Sequence, residues 1–114
     1  MYSSTTTLAQ VDTVADSLGA PMAMADSLAL ARRHVDELVQ IEDAVMTRTM
    51  LLMRERLMLL AEPACAASLG TALGPLRSRL AGKKIGVLAC GSNISIERYN
   101  KYTNGVEMLT VPAA

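Results

Sequence analysis

The clearest periodicity in the chain lies between residues 42 and 60. There Met46, Met50, Met53, Leu57 and Leu60 recur at steps of four and three, and Val45, Leu52 and Leu59 widen the apolar stripe. Such steps put side chains on one face of an α-helix, so the spacing predicts a long amphipathic helix with Asp43, Thr47, Arg48, Arg54 and Glu55 on its polar edge. Pro63 interrupts it, because proline lacks an amide donor and disfavours helical geometry in the residue before it; Glu62-Pro63 is therefore read as a break between two helices. Residues 64–73 are alanine-rich and almost uncharged, which suits a second helix buried on most sides and stopped by Gly74-Pro75. Upstream, residues 26–36 predict a helix with an acid near its start and Arg32, Arg33 and His34 in its last turn, where they complement the helix dipole. Residues 76–80 add a further turn of helix.

Two stretches change period. Residues 35–41 are too brief for another helix and carry β-branched Val39 and Ile41, which predicts a short strand. Ile85-Gly86-Val87-Leu88-Ala89-Cys90 is apolar on both faces, as a central strand of a parallel sheet is. Gly91-Ser92-Asn93 then turns the chain, and Ser95 can cap a last helix through about Tyr102, with Glu97 in its first turn and Asn104-Gly105 at its end. Near the amino terminus, Thr13 to Pro21 mixes apolar pairs with turn formers and reads as a short strand or an ordered loop. The resulting order is α/β. Two parallel-type strands do not make a stable sheet, so the remaining strands are expected elsewhere, and residues 84–90 should expose apolar surface and favour self-association into a homo-oligomer. Residues 1–10 are expected to be a disordered lead, 11–104 the structured segment and 105–114 a flexible tail.

Composition narrows the picture. A chain of 114 residues forms one small domain, which buries only about two-thirds of the surface its unfolded form exposes. It is 51% apolar yet has no Phe, no Trp and three Tyr, so burial falls to Leu, Ala, Val and eight Met. Eleven basic and eleven acidic residues cancel without a basic cluster, which counts against a nucleic-acid partner. Cys65 and Cys90 lie far apart with no paired spacing, so neither a zinc site nor a disulfide framework is indicated, and free thiols suit a reducing cytoplasmic setting. The polar start has no signal-peptide pattern, and no apolar run approaches the roughly 20 residues of a membrane span, so a soluble protein without a membrane partner is expected.

The candidate chemistry sits at Leu88-Ala89-Cys90-Gly91-Ser92-Asn93-Ile94-Ser95. In open α/β sheets, ligands bind beyond the carboxyl ends of the strands, where such a turn would lie. By itself the turn is equally well explained by the tolerance of Gly and Asn for left-handed geometry. Read with three further stretches in order, it says more. Asp12-Thr13-Val14-Ala15-Asp16-Ser17-Leu18, Arg32-Arg33-His34-Val35-Asp36-Glu37-Leu38-Val39, Leu60-Ala61-Glu62-Pro63-Ala64-Cys65-Ala66 and Cys90-Gly91-Ser92-Asn93-Ile94 together resemble the ending of the serine/threonine dehydratase and serine racemase family, over about residues 11–103.

That resemblance implies the type II fold of pyridoxal-phosphate enzymes. The chain would be a helix-rich part of the large cofactor-binding domain, with two or three short parallel strands and an incomplete sheet. It also implies site residues. Cys90 stands at the position facing the pyridine nitrogen, Ser in most threonine dehydratases and Cys in some serine dehydratases; a neutral thiol there leaves the nitrogen largely unprotonated, which suits β-elimination of water. Asn93 would fix the turn, and Gly91 would let backbone approach the ring. Glu62 matches the family's Glu-Pro motif, with a carboxylate near the cofactor face or a cation site; it could equally cap the following helix with Pro63 in its first turn. Ser92 and Ser17 depart from the usual Gly, and no role is assigned to Ser17. Cys65 reads as a buried small hydrophobe, His34 as a residue paired with the end of its helix and the Met stripe as core.

The lysines are Lys83, Lys84 and Lys101, and none lies in the Ser-x-Lys-x-Arg setting in which the resembled family holds its cofactor covalently. Its glycine-rich phosphate loop is also not found in these 114 residues. No residue here is assigned a catalytic role, and the chain alone is expected to be inactive. The resemblance implies that in a full-length context it serves deamination of L-serine or L-threonine to ammonia and a 2-oxo acid. The alternative is a non-catalytic α/β module that associates with another chain. Which hydroxy amino acid is used is not legible, because the substrate loops lie outside the resembled segment.

Overall fold

The computed structural model describes Thr7 and residues 10–111. The expected disordered lead, apart from Thr7 and Gln10, and the last three residues of the expected tail lie outside the described residues. Among the described residues, five helices follow a single 3-10 turn at Asp16–Leu18: α1 (Ala25–His34), α2 (Asp43–Leu57), α3 (Pro63–Leu73), α4 (Arg77–Leu80) and α5 (Ile96–Thr103). The Thr13–Pro21 stretch is thus an ordered loop around that turn, closed by the Leu18 amide donating to the Ala15 carbonyl at 2.9 Å.

The core forms where α2, α3 and α5 meet. On α2 the expected stripe buries Met46, Met50, Leu52 and Met53, together with Thr47 and Thr49. The helix stops at Leu57 rather than Leu60, because Met58 turns left-handed at φ 54° and donates its amide back to the Arg54 carbonyl. That geometry costs a non-glycine residue about 1 kcal/mol, and it leaves Leu57, Met58, Leu59 and Leu60 exposed. Pro63 opens α3 at a position where a missing amide donor costs nothing. The small residues of α3 then allow close packing: a Cβ on Gly70 would lie 2.9 Å from the Thr49 hydroxyl oxygen and 3.1 Å from the Ile41 methyl. That hydroxyl is satisfied within α2 by donating to the Val45 carbonyl at 2.7 Å.

Capping by Ser95 starts α5 as its sequence suggests, the Ser95 oxygen accepting from the Arg98 amide at 3.2 Å. Tyr99, one of only three aromatics in the chain, is 1% exposed and packs among Met50, Met53, Ala61, Cys65 and Ala66. Its hydroxyl donates to the Met50 carbonyl at 3.0 Å, so the one polar atom of the plug is matched. Desolvation by burial raises its phenol above the ordinary range, and the nearby Arg54 charge works against that. Cys65 is buried as a small hydrophobe, and His34 is exposed in the last turn of α1.

The expected strands are not formed within the described residues. No strand forms among the described residues: 35–41 and 84–90 are neither helical nor paired. Among the described residues, 84–90 make no backbone-to-backbone hydrogen bond, and Leu88, on the segment expected to be central in a sheet, is 75% exposed. The reason is physical: strand geometry is stable only when its amides and carbonyls pair with a neighbour, and among the described residues no other segment lies alongside as one. Helix α1 likewise buries no residue, and Val35 ends it in extended geometry at φ −109°.

Candidate functional site

The four sequence-predicted site residues fall at one junction, where the loop after α2 meets the turn before α5. The Glu62 amide donates to the Gly91 carbonyl at 3.1 Å, which fastens the Glu-Pro break to the glycine turn across 29 residues (91 − 62). Glu62 is the N-cap residue of α3, but its carboxylate makes no capping bond; only its carbonyl serves the helix, accepting from the Ala66 amide at 3.1 Å. The side chain lies instead against Gly91. A Cβ there would fall on a Glu62 carboxylate oxygen, 2.7 Å from Cδ and 2.9 Å from Cγ. Gly91 thus leaves the room in which the Glu62 side chain is seated.

Beyond Gly91, the Ile94 amide donates to the Ser92 carbonyl at 2.9 Å, a three-residue turn with Asn93 at its centre. Cys90 and Asn93 are exposed on this turn, whereas Gly91 and Glu62 are half-buried. The preceding segment is steadied on α3 by the Ser68 hydroxyl, which donates to the Leu88 carbonyl at 3.0 Å.

A second long-range junction, at the start of α2, carries no clear signal in the sequence. Asp43, expected only as part of a polar helix edge, accepts from the Thr13 hydroxyl at 2.6 Å and from the Val14 amide at 2.9 Å. Thr13 in turn accepts from the Ala15 amide at 3.1 Å, and Ala15 is buried with Met46 and Ala67. One carboxylate thus ties residues 13–15 to the start of α2. Arg98 completes the link to α5, donating to Asp16 at 3.2 Å and to the Tyr102 hydroxyl at 3.0 Å; these two hydrogen bonds, Tyr102 first, raise its already high pKa. The only hint of this in the sequence is an acid in the first turn of a helix, which the dipole alone explains.

The Glu62 carboxylate lies against Gly91, with the thiol of Cys90 and the amide of Asn93 on the same exposed turn, a set that offers hydrogen-bonding groups and no cation. None of the four is cationic, so the turn itself holds no counter-charge for a phosphate. Among the described residues no group of three or more His, Cys, Asp or Glu converges as a metal site. A broad concavity of about 860 Å³ lies elsewhere, between α2, α5 and residues 104–108, and includes none of the four. No described helix is long and apolar enough to cross a membrane.

Comparison with known proteins agrees with this reading at the level of family. The profile of the family described as pyridoxal-phosphate dependent enzyme matches residues 1–91. Phenylserine dehydratase of Ralstonia pickettii is 38% identical over 95 residues, covering 83% of this chain and 29% of the relative. L-threo-3-hydroxyaspartate ammonia-lyase of Saccharomyces cerevisiae is 30% identical over 82 residues, 71% of this chain and 24% of the relative. The processed form of threonine deaminase isoform 2 from Solanum lycopersicum superposes with a TM-score of 0.77 at 18% identity, covering 86% of this chain and 29% of that structure. The chain therefore spans less than a third of the length of these relatives. With the profile match over most of its length and a fold in common with threonine deaminase, this chain belongs to the family of pyridoxal-phosphate dependent enzymes and corresponds to a part of their type II fold.

Proposed function

We propose that this chain forms the pyridine-nitrogen wall of the cofactor site in a pyridoxal-phosphate-dependent dehydratase. The reaction served is deamination of a 3-hydroxy amino acid, such as L-serine or L-threonine, to ammonia and a 2-oxo acid. The observation that carries the reading is the Glu62–Gly91 junction, at which the Glu-Pro break and the Cys90–Asn93 turn meet. When bound, the cofactor supplies the electron sink for loss of the α-proton and the β-hydroxyl. The Cys90 thiol would face the ring nitrogen, and a hydrogen-bond partner without full positive or negative charge would favour elimination over chemistry that needs a fully protonated ring. Asn93 holds the turn, and Glu62, seated on Gly91, sets the position of that turn against α3. The lysine and the phosphate cup come from outside these 114 residues, so the chain alone is inactive.

The test replaces the matching segment of phenylserine dehydratase with this chain. The chimera should bind pyridoxal phosphate and release ammonia from phenylserine, and Cys90→Ala should shift the cofactor's absorbance. Unchanged absorbance and activity in both Cys90→Ala and Asn93→Ala would remove these residues from the site. With the 114-residue chain alone, pyridoxal phosphate followed by borohydride should label no single defined lysine. A non-catalytic interaction module is the second reading, favoured by the unpaired backbone of residues 84–90; it predicts a chimera without cofactor absorbance.

A further inference from the structure

We propose that Asp43 is a positioning residue for the Glu62–Gly91 junction, fixing through the loop at 13–16 where α3 and α5 begin on either side of the Cys90–Asn93 turn. Contacts among these elements form a closed circuit. From the first turn of α2, Asp43 accepts from the Thr13 hydroxyl at 2.6 Å and from the Val14 amide at 2.9 Å, so both carboxylate oxygens are engaged on the loop. Thr13 passes the constraint on by accepting from the Ala15 amide at 3.1 Å. Ala15, 1% exposed, packs with Met46 of α2 and with Ala64 and Ala67 in the opening turns of α3, the helix whose N-cap is Glu62. The Glu62 amide donates to the Gly91 carbonyl at 3.1 Å, and the turn runs on to Ser95 at the head of α5. Arg98, in the first turn of α5, closes the circuit by donating to Asp16 at 3.2 Å.

Of the two polar ties that leave the loop, the one at Asp43 governs. The Arg98 and Asp16 side chains are 51% and 73% exposed, and solvent screens a pair of that kind. Asp43 is half-buried and makes two charge-assisted bonds, one to a hydroxyl and one to a backbone amide. A charge in the first turn of a helix serves the dipole wherever it points, but here both oxygens turn away from α2 and onto the loop. Transmission to α3 is stiff because the contact is made by alanines. Ala15, Ala64 and Ala67 have no side-chain torsion in which to absorb a displacement, so a shift of the loop becomes a shift of the helix start. At the far end the Glu62 side chain is seated against Gly91, where a methyl group would already collide with it. The catalytic consequence rests on the cofactor-wall reading above, whereas the coupling of Asp43 to Glu62 rests on these contacts alone.

The experiment measures amide exchange in the 114-residue chain by nuclear magnetic resonance, taking the Glu62 amide as the probe of the junction and the Met53 amide, inside α2, as the reference for general opening. Asp43→Ala should speed exchange at Glu62 by about tenfold or more beyond any change at Met53. Asp43→Asn, which keeps one acceptor oxygen, should restore part of the protection. Thr13→Val removes the hydroxyl while leaving the charge on α2, and should raise the same ratio by a smaller factor. Equal changes at Glu62 and Met53 in these variants overturn the proposal, since they report only a general loss of stability; should Asp43→Ala unfold the chain, the Thr13→Val ratio decides. In the phenylserine dehydratase chimera, Asp43→Ala should shift the cofactor's absorbance in the direction that Cys90→Ala does and lower kcat more than it raises KM, with Asp43→Asn intermediate. Absorbance that responds to Cys90→Ala and not to Asp43→Ala also overturns the proposal. A chimera without cofactor absorbance fails the cofactor-wall reading instead, and the exchange ratio in the 114-residue chain still decides whether Asp43 positions the junction.

Discussion

Substituting Gly91 by alanine isolates the contact that organises the site. Residue 91 does not have a left-handed φ, so alanine meets no backbone penalty and should gain about 0.4–1 kcal/mol by restricting the unfolded chain. The cost comes from Glu62. Its Cγ and Cδ stand 2.9 Å and 2.7 Å from where the new methyl would lie, whereas ordinary carbon contacts begin about 3.5 Å apart. Moving the carboxylate tip alone does not clear Cγ, so the side chain must rotate nearer its root, at about 0.5–1.5 kcal/mol if it leaves a rotamer well. The single variant should therefore be close to neutral or lose up to about 1 kcal/mol, the two effects partly cancelling. In a Glu62→Ala background the clash is gone and Gly91→Ala should stabilise. The coupling between the two sites should be about 1 kcal/mol, read from a double-mutant cycle in urea denaturation followed by circular dichroism. Additivity within about 0.3 kcal/mol would refute the contact.

Three further outcomes follow from other groups. Tyr99→Phe removes the hydroxyl that donates to Met50 and should cost about 1 kcal/mol, or roughly 4–8 °C in melting temperature for a domain this size, whereas Tyr102→Phe, at a half-buried tyrosine whose hydroxyl meets Arg98 in an exposed hydrogen bond, should cost much less; equal losses would argue against a buried plug. Asp43→Ala should cost about 1.5–3 kcal/mol and speed amide exchange at Val14, with Asp43→Asn intermediate; unchanged exchange at Val14 would show that the carboxylate does not hold the loop. Glu37 is held below its ordinary pKa of 4.5, first by its hydrogen bond from Arg79 and then by that residue's charge. A lowered folded pKa means that the pair's contribution is present above the ordinary carboxylate range and lost as pH falls through the folded value. The melting-temperature gap between wild type and Arg79→Ala should thus be small and steady near neutrality, shrink with added salt and vanish in acid; a gap that persists in acid would mean Arg79 acts by packing.

Much of the helical layout was legible because it is local. The Met stripe, the proline at 63 and the serine at 95 each act within a turn or two, and α2, α3 and α5 start within a residue or so of where those signals put them. The family was legible for a different reason, since four short stretches kept their order and spacing along the chain. The left-handed Met58 that ends α2 three residues early carries no glycine or asparagine to announce it.

By itself, then, the sequence determined which segments coil, where they break and which kind of enzyme they descend from. Only the tertiary structure decided that the Glu62 carboxylate rests on Gly91 instead of capping α3, that Tyr99 plugs a methionine core, and that Asp43 holds the loop at 13–15. It also decided that residues 84–90 pair with no strand among the described residues, despite a pattern that suits a sheet centre. Helical hydrogen bonds close over four residues and need nothing else, whereas a strand, a seated carboxylate and a buried hydroxyl all depend on partners brought in from far along the chain or from another one.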